Sequence, residues 1–210
     1  VNSGCSRFIE LWNLVFIQFN RDESGNLHPL PFKHVDTGMG FERIVSVLQK
    51  VRSNYDTDIF QPIIQRVEDV TGIDYRKCDD SKQVAFRVLA DHIRMLTFSI
   101  TDGAIPSNEG RGYVLRRILR RASRYARKLD LHKPFIFNLV PVVVEMMGNA
   151  FPEIREKQSY VMDVIKSEEE NFNRTLDRGL EIFDSLASRI LVGGNNLISG
   201  SDAFRLYDTF

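Results

Sequence analysis

Residues 34–51 read HVDTGMGFERIVSVLQKV, and a change of period inside them decides the architecture. Ahead of the glycines, residues 8–20 (FIELWNLVFIQFN) are rich in aromatic and β-branched side chains and shorter than most helices, which predicts a buried strand. Asp22-Glu23-Ser24-Gly25-Asn26 supplies a turn, and a second extended run passes through Leu30, Phe32 and Val35. The two runs therefore predict an antiparallel pair. After Gly38-Met39-Gly40 the spacing changes: Phe41, Ile44, Val45, Leu48 and Val51 recur at helical intervals. Strand, glycine turn and helix follow in that order.

From Asp56 onward the pattern is helical. Helices are predicted over Ile59–Val70, Val84–Ile100, Tyr113–Leu129 and Pro134–Met147, and a long one over about Gln158–Leu191. In the long one Val161, Ile165, Phe172, Leu176, Leu180, Phe183, Leu186 and Ile190 keep one apolar face, and Gly193-Gly194 supply a stop. Thr101–Gly112, with three glycines and a proline, reads as a loop. The fold class is α+β: an antiparallel β piece with its helix over residues 1–55, then a mostly α-helical domain over 56–210.

Bulk properties narrow the partners little. Twenty-eight basic residues balance twenty-eight acidic ones, so only the distribution of charge along the chain carries information. Cys5 and Cys78 are far apart, and with His28, His34, His92 and His132 they make no metal-spaced cluster. That favours a reducing compartment without a disulfide framework. The most apolar stretch, Phe135–Met147, is interrupted by Asn138, Pro141 and Glu145, so no membrane partner is expected. Val1 opens in what reads as mid-domain sequence, so the chain is expected to be an internal piece of a longer protein.

The octapeptide Asp36-Thr37-Gly38-Met39-Gly40-Phe41-Glu42-Arg43 carries the first chemistry. Two glycines at a strand-to-helix junction let a ligand approach the backbone, and a helix start favours anions. A dinucleotide fingerprint needs a third glycine where Arg43 stands, within a βαβ unit. A permanent guanidinium there suits phosphate oxygens, to which it donates paired bonds. The plain alternative is a solvated glycine-rich turn.

This glycine-x-glycine-x-x-arginine turn resembles motif 3 of the class II aminoacyl-tRNA synthetases. With ELWNLVFIQFNR before it, HVDTGMGFERI is similar to the alanine-specific branch. The resemblance implies that Arg43 contacts the ATP phosphates, that Gly38 and Gly40 line the adenylate, and that Asp36 accepts from the alanine ammonium. It further implies that Asn13 orients the alanine and Val15 limits the room around its methyl. Read alone, Asn13 is a strand residue facing turn backbone and Val15 a core valine.

Arg111, Arg116, Arg117, Arg120, Arg121, Arg124, Arg127 and Lys128 make the second chemistry, eight cations with no acid among them. Arg116, Arg120, Arg124 and Arg127 are expected on one helix face, with Arg117, Arg121 and Lys128 beside it. Like charges at these spacings oppose helix formation, which points to a nearby polyanion. The alternative is pairing with Glu168-Glu169-Glu170 of the same chain.

The string DGAIPSNEGRGYVLRRILRRA (102–122), joined by the closing DAFRLYDTF, is similar to the tRNA-recognition domain of the same branch. That resemblance implies binding of the tRNA(Ala) acceptor stem, with Asn108 and Asp208 reading a G·U wobble pair. Read alone, the two are a turn asparagine and a helix-capping aspartate. The family implies a cytoplasmic alanine–tRNA ligase using ATP with Mg2+, its zinc-type ligands expected beyond Phe210. This piece alone is expected to be inactive. A non-catalytic helical RNA-binding module needs the basic helix without Asp36 or Arg43, and a purely structural helical protein needs neither.

Overall fold

The computed structural model describes residues 8–192 and 197–209, the side chains of 192, 208 and 209 excepted. Cys5 and the Gly193-Gly194 stop lie outside the described residues. The chain divides into two compact units, Val1–Gln61 and Pro62–Phe210.

In the first unit β1 (Trp12–Arg21) pairs antiparallel with β2 (Leu27–Met39), from Trp12↔Met39 to Arg21↔Leu27, with one irregularity between Ile17 and Phe19. The turn between them is held by Asp22, whose Oδ1 accepts from the Asn26 amide at 2.8 Å, and by Gly25 at φ +88°. The expected buried strand is corrected here. Every residue of β1 is exposed, Phe16 by 67%. A two-stranded ribbon leaves both faces open to water unless another layer covers them. β2 leads directly into α1 (Phe41–Leu48), as the period change predicts.

The second unit is helical: α2 (Gln61–Thr71), α3 (Asp80–Thr101), α4 (Gly110–Arg127), α5 (Val140–Met147), α6 (Pro152–Glu156), α7 (Gln158–Val192) and α8 (Gly200–Thr209). Its core joins Phe86, Leu89, Ile93 and Leu96 of α3 to Leu119 of α4, Val143 of α5 and Ile165 of α7, all fully buried. Ala122, Ser123 and Ala126 on the inner side of α4 are small enough for α3 to pack closely against it. Burying a leucine or isoleucine at these positions contributes about 2 kcal/mol each, the main favourable term holding the helices together.

Several boundaries depart from expectation. The helix predicted from Val84 starts at Asp80, because the Asp79 carboxylate accepts from the Lys82 amide at 3.0 Å and caps it. Only residues 102–109 are loop, since α4 already begins at Gly110. The helix expected over Pro134–Met147 is a 3-10 turn, Ile136–Leu139, followed by α5. Glu169 dictates that start: its buried carboxylate accepts from the amides of Phe135 at 2.9 Å and Ile136 at 3.1 Å. The short α6, opened by Pro152, and α8 were not anticipated. The apolar face of α7 is buried at Val161, Ile165, Phe172 and Leu186 but exposed at Leu180 and Phe183.

Candidate functional site

The register of the ribbon assembles the first site. Asn13 faces Gly38 across the strands and Val15 faces Asp36. Because side chains alternate, these four positions share one face. Asn13 lies over Gly38, where an added Cβ would stand 3.0 Å from its Oδ1. Neither Gly38 nor Gly40 has positive φ, so their use is the open backbone rather than an unusual torsion.

Gly40 is the N-cap of α1, and its amide donates to Leu11 O at 2.9 Å. The Arg43 side chain folds back over it, with Cδ 3.1 Å from where a Cβ would sit. Arg43 Nη1 donates to Glu10 O at 2.7 Å, while Glu10 Oε1 accepts from Asn13 Nδ2 at 2.7 Å. Glu10 therefore ties the guanidinium to the asparagine. Nothing in the local sequence pattern singled it out. All six predicted residues of this region thus lie along one strand face, its glycine turn and the first turn of α1.

In the second unit the loop before α4 is fixed by glycine. Gly103 (φ +90°) and Gly110 (φ +55°) take left-handed torsions that only glycine adopts freely. Ser107 N donates to Gly112 O at 3.0 Å, and Ser107 Oγ donates to Glu109 O at 2.9 Å. Gly112 is buried hard against this loop: a Cβ there would meet Ser107 Oγ at 2.2 Å and Ile105 O at 2.3 Å. Asn108 is held exposed at the loop tip, where its Oδ1 accepts from Arg116 Nη1.

The expected single basic face divides into two. Leu115, Leu119, Ala122 and Ala126 turn inward. Arg116 and Arg120 meet the buried Glu168 of α7, with Nε to Oε1 distances of 3.0 and 3.2 Å, and Arg127 Nη1 lies 2.7 Å from Asp177. Arg120 also stacks over the Phe172 ring at 5.2 Å. The grouping of Arg116, Arg120, Arg124 and Arg127 is thus corrected, because three of them turn toward carboxylates of α7. Pairing with the acidic run is restricted to Glu168; Glu169 caps the 3-10 turn and Glu170 is exposed.

Arg117, Arg121, Arg124 and Lys128 lie on the outer side at intervals of four, three and four, all exposed, and Arg111, six residues before Arg117, is exposed as well. Arg121 and Lys128 flank the Tyr125 ring at 5.4 and 5.1 Å. Burial separates the two cation sets, and sequence spacing does not. Asp91 of α3 bonds His92 Nδ1 at 2.9 Å, and this bond holds its carboxyl below the usual range. Asp208 falls in α8, and its side chain lies outside the described residues. Among the described residues no cluster of three His, Cys, Asp or Glu is placed to hold a metal, and no helix is long and apolar enough to cross a membrane.

An arginine folded back over a glycine turn beside a polar strand face, and in the other unit an outward cation stripe, are the chain's two chemical features. The chain belongs to the class II tRNA synthetases: the family described as tRNA synthetases class II (A) matches residues 1–210. It is 57% identical, along its entire length, to the alanine–tRNA ligase of Chlorobium phaeobacteroides, and 56% identical to that of Chlorobaculum tepidum. The Bacillus subtilis alanine–tRNA ligase is 53% identical over 97% of the chain. The chain spans 24% of the length of the Chlorobium relative and 23% of the Bacillus one.

Proposed function

We propose that this chain is the part of an alanine–tRNA ligase that supplies motif 3 of the catalytic domain and the acceptor-stem-binding helical domain. In the whole protein, the alanine carboxylate attacks the α-phosphate of ATP and displaces pyrophosphate, and the alanyl group then passes to tRNA(Ala). Such a displacement needs positioning and charge stabilisation more than covalent help from the protein. Asp36 accepts from the alanine ammonium, Val15 and Asn13 shape and orient the amino acid, and Gly38 and Gly40 leave backbone open to the adenylate. Arg43, tethered through one nitrogen to Glu10 O, offers its remaining donors to the phosphates of ATP, which arrives with Mg2+.

The observation that carries the RNA half is the division of α4. Cations that face the protein are matched by Glu168 and Asp177, whereas Arg117, Arg121, Arg124 and Lys128 face water together. A stripe that makes no salt bridge among the described residues, beside neighbours that do, fits an external polyanion. Asn108, one loop away, supplies the polar group that meets base edges in the shallow minor groove of A-form RNA, and Asp208 is assigned the second contact.

The test is binding of an acceptor-stem hairpin to this chain, with a G·U or a G·C pair at the wobble position. A G·U preference that disappears in Asn108→Ala or Asp208→Ala is the expected result. Equal binding of both hairpins overturns the wobble assignment, and binding insensitive to salt overturns the RNA reading altogether. A non-catalytic RNA-binding module keeps the hairpin result but predicts that Arg43 is dispensable in the longer protein.

A further inference from the structure

Resting on the acceptor-stem reading above, we infer that Glu168 and Arg116 are positioning residues for Asn108. Glu168, far from the loop in sequence, thereby sets the selectivity of a contact it never makes.

An asparagine amide presents an acceptor at one end and donors at the other, and a free side chain samples both orientations. A guanidinium has donors only. By donating from Nη1 to Asn108 Oδ1, Arg116 selects the oxygen end of the amide and fixes which atoms face outward. Arg116 is itself held by an ion pair, its Nε 3.0 Å from Glu168 Oε1 though not aligned as a hydrogen bond, with the arginine side chain 22% and the glutamate side chain 10% exposed. The same oxygen accepts from Arg120 Nε at 3.2 Å, and Arg120 lies over the Phe172 ring. The anchor is therefore a buried carboxylate on the long helix α7, not a solvated surface charge.

Packing between loop and α7 is incomplete: a groove of about 350 Å³, open to solvent, is lined by Ile105 and Pro106 of the loop and by Val164, Ser167 and Glu168 of α7. The loop is tied at Gly112 on one side and through Asn108 on the other. Removing the carboxylate frees Arg116 to leave Asn108, and the amide then loses its orientation.

The experiment measures Kd of the G·U and G·C hairpins for the wild-type chain, Glu168→Gln and Arg116→Lys, each alone and combined with Asn108→Ala, across a salt series. Both single variants are expected to lower the G·C-to-G·U Kd ratio by about tenfold, the size of one lost oriented hydrogen bond. Affinity for the G·C hairpin and the salt slope are expected to hold. Neither substitution is expected to lower the ratio further once Asn108 is alanine, because the effect passes through that residue.

If Glu168 merely neutralises charge, Glu168→Gln tightens both hairpins alike and leaves the ratio intact, which overturns the inference. Arg116→Lys keeps the cation but not the planar fork, so it decides the matter if Glu168→Gln fails to fold. A ratio abolished by Asn108→Ala yet untouched by both other variants sinks this inference and spares the acceptor-stem reading. A wild-type chain without any G·U preference sinks both.

Discussion

Gly112 shows how much a single hydrogen can decide. An alanine Cβ would lie 2.3 Å from the Ile105 carbonyl oxygen, which is backbone and cannot rotate away, so the loop must move. Gly112→Ala is expected to destabilise the second unit by about 1–3 kcal/mol, read from urea melts, and to weaken G·U preference as Asn108 shifts. In the first unit Arg43→Ala in the longer protein is expected to depress alanine-dependent ATP–pyrophosphate exchange by about a hundredfold or more, the loss of a charge-assisted pair of bonds. Activity unchanged would remove Arg43 from the phosphate site. Residue types at the glycine turn were legible because the strand–turn–helix change of period surrounds them. Glu10 was not, since it acts through Arg43, distant in sequence; Glu168 was legible as one acid of a run that could pair with the basic helix, but not as the partner of Arg116 and Arg120 in particular.

At the scale of elements, α4 is three surfaces on one cylinder. Its apolar face packs on α3, its inner cations are neutralised by α7, and its outer stripe makes no salt bridge among the described residues. If the four outer cations each meet a phosphate, the log–log dependence of affinity on salt has a slope of about −3 to −4. Arg117→Gln or Arg124→Gln is expected to reduce that slope by about one and to weaken both hairpins equally, measured by fluorescence anisotropy. Arg127→Gln, which breaks a pair with Asp177, is expected to leave the slope unchanged and to lower the melting temperature. Helical period predicted where α4 lies. It could not divide the arginines, because the acids that claim three of them stand on another helix at positions 168 and 177.

At the scale of the whole molecule, the helical unit contains a buried carboxyl with a pH signature. Burial pushes the Glu169 carboxyl up to about 7, against the lowering effect of the Phe135, Ile136 and Phe137 amides. Between about pH 4.5 and pH 7 the folded unit holds a proton that the unfolded chain has released. The Glu169 contribution to stability is therefore fully present below that window, is lost as pH rises through it, and is smaller above by on the order of 3 kcal/mol. Glu169→Gln keeps an oxygen for the amides and is expected to flatten this fall, seen as a smaller difference between urea midpoints at about pH 5 and about pH 8. The α+β character and the order of the longer elements were readable from period alone. Exposure of the strands was not, because composition marks a strand as apolar without saying what covers it.

Trp12 is the chain's one tryptophan, sits on β1 opposite Met39, and is 61% exposed. Its indole is thus an optical reporter native to the ribbon that bears the glycine turn. Emission from the chain is expected to begin red-shifted and open to quenching by iodide, and to report the first unit. Whatever comes to lie over that side of the ribbon will announce itself as a blue shift, with no label and no change to the sequence.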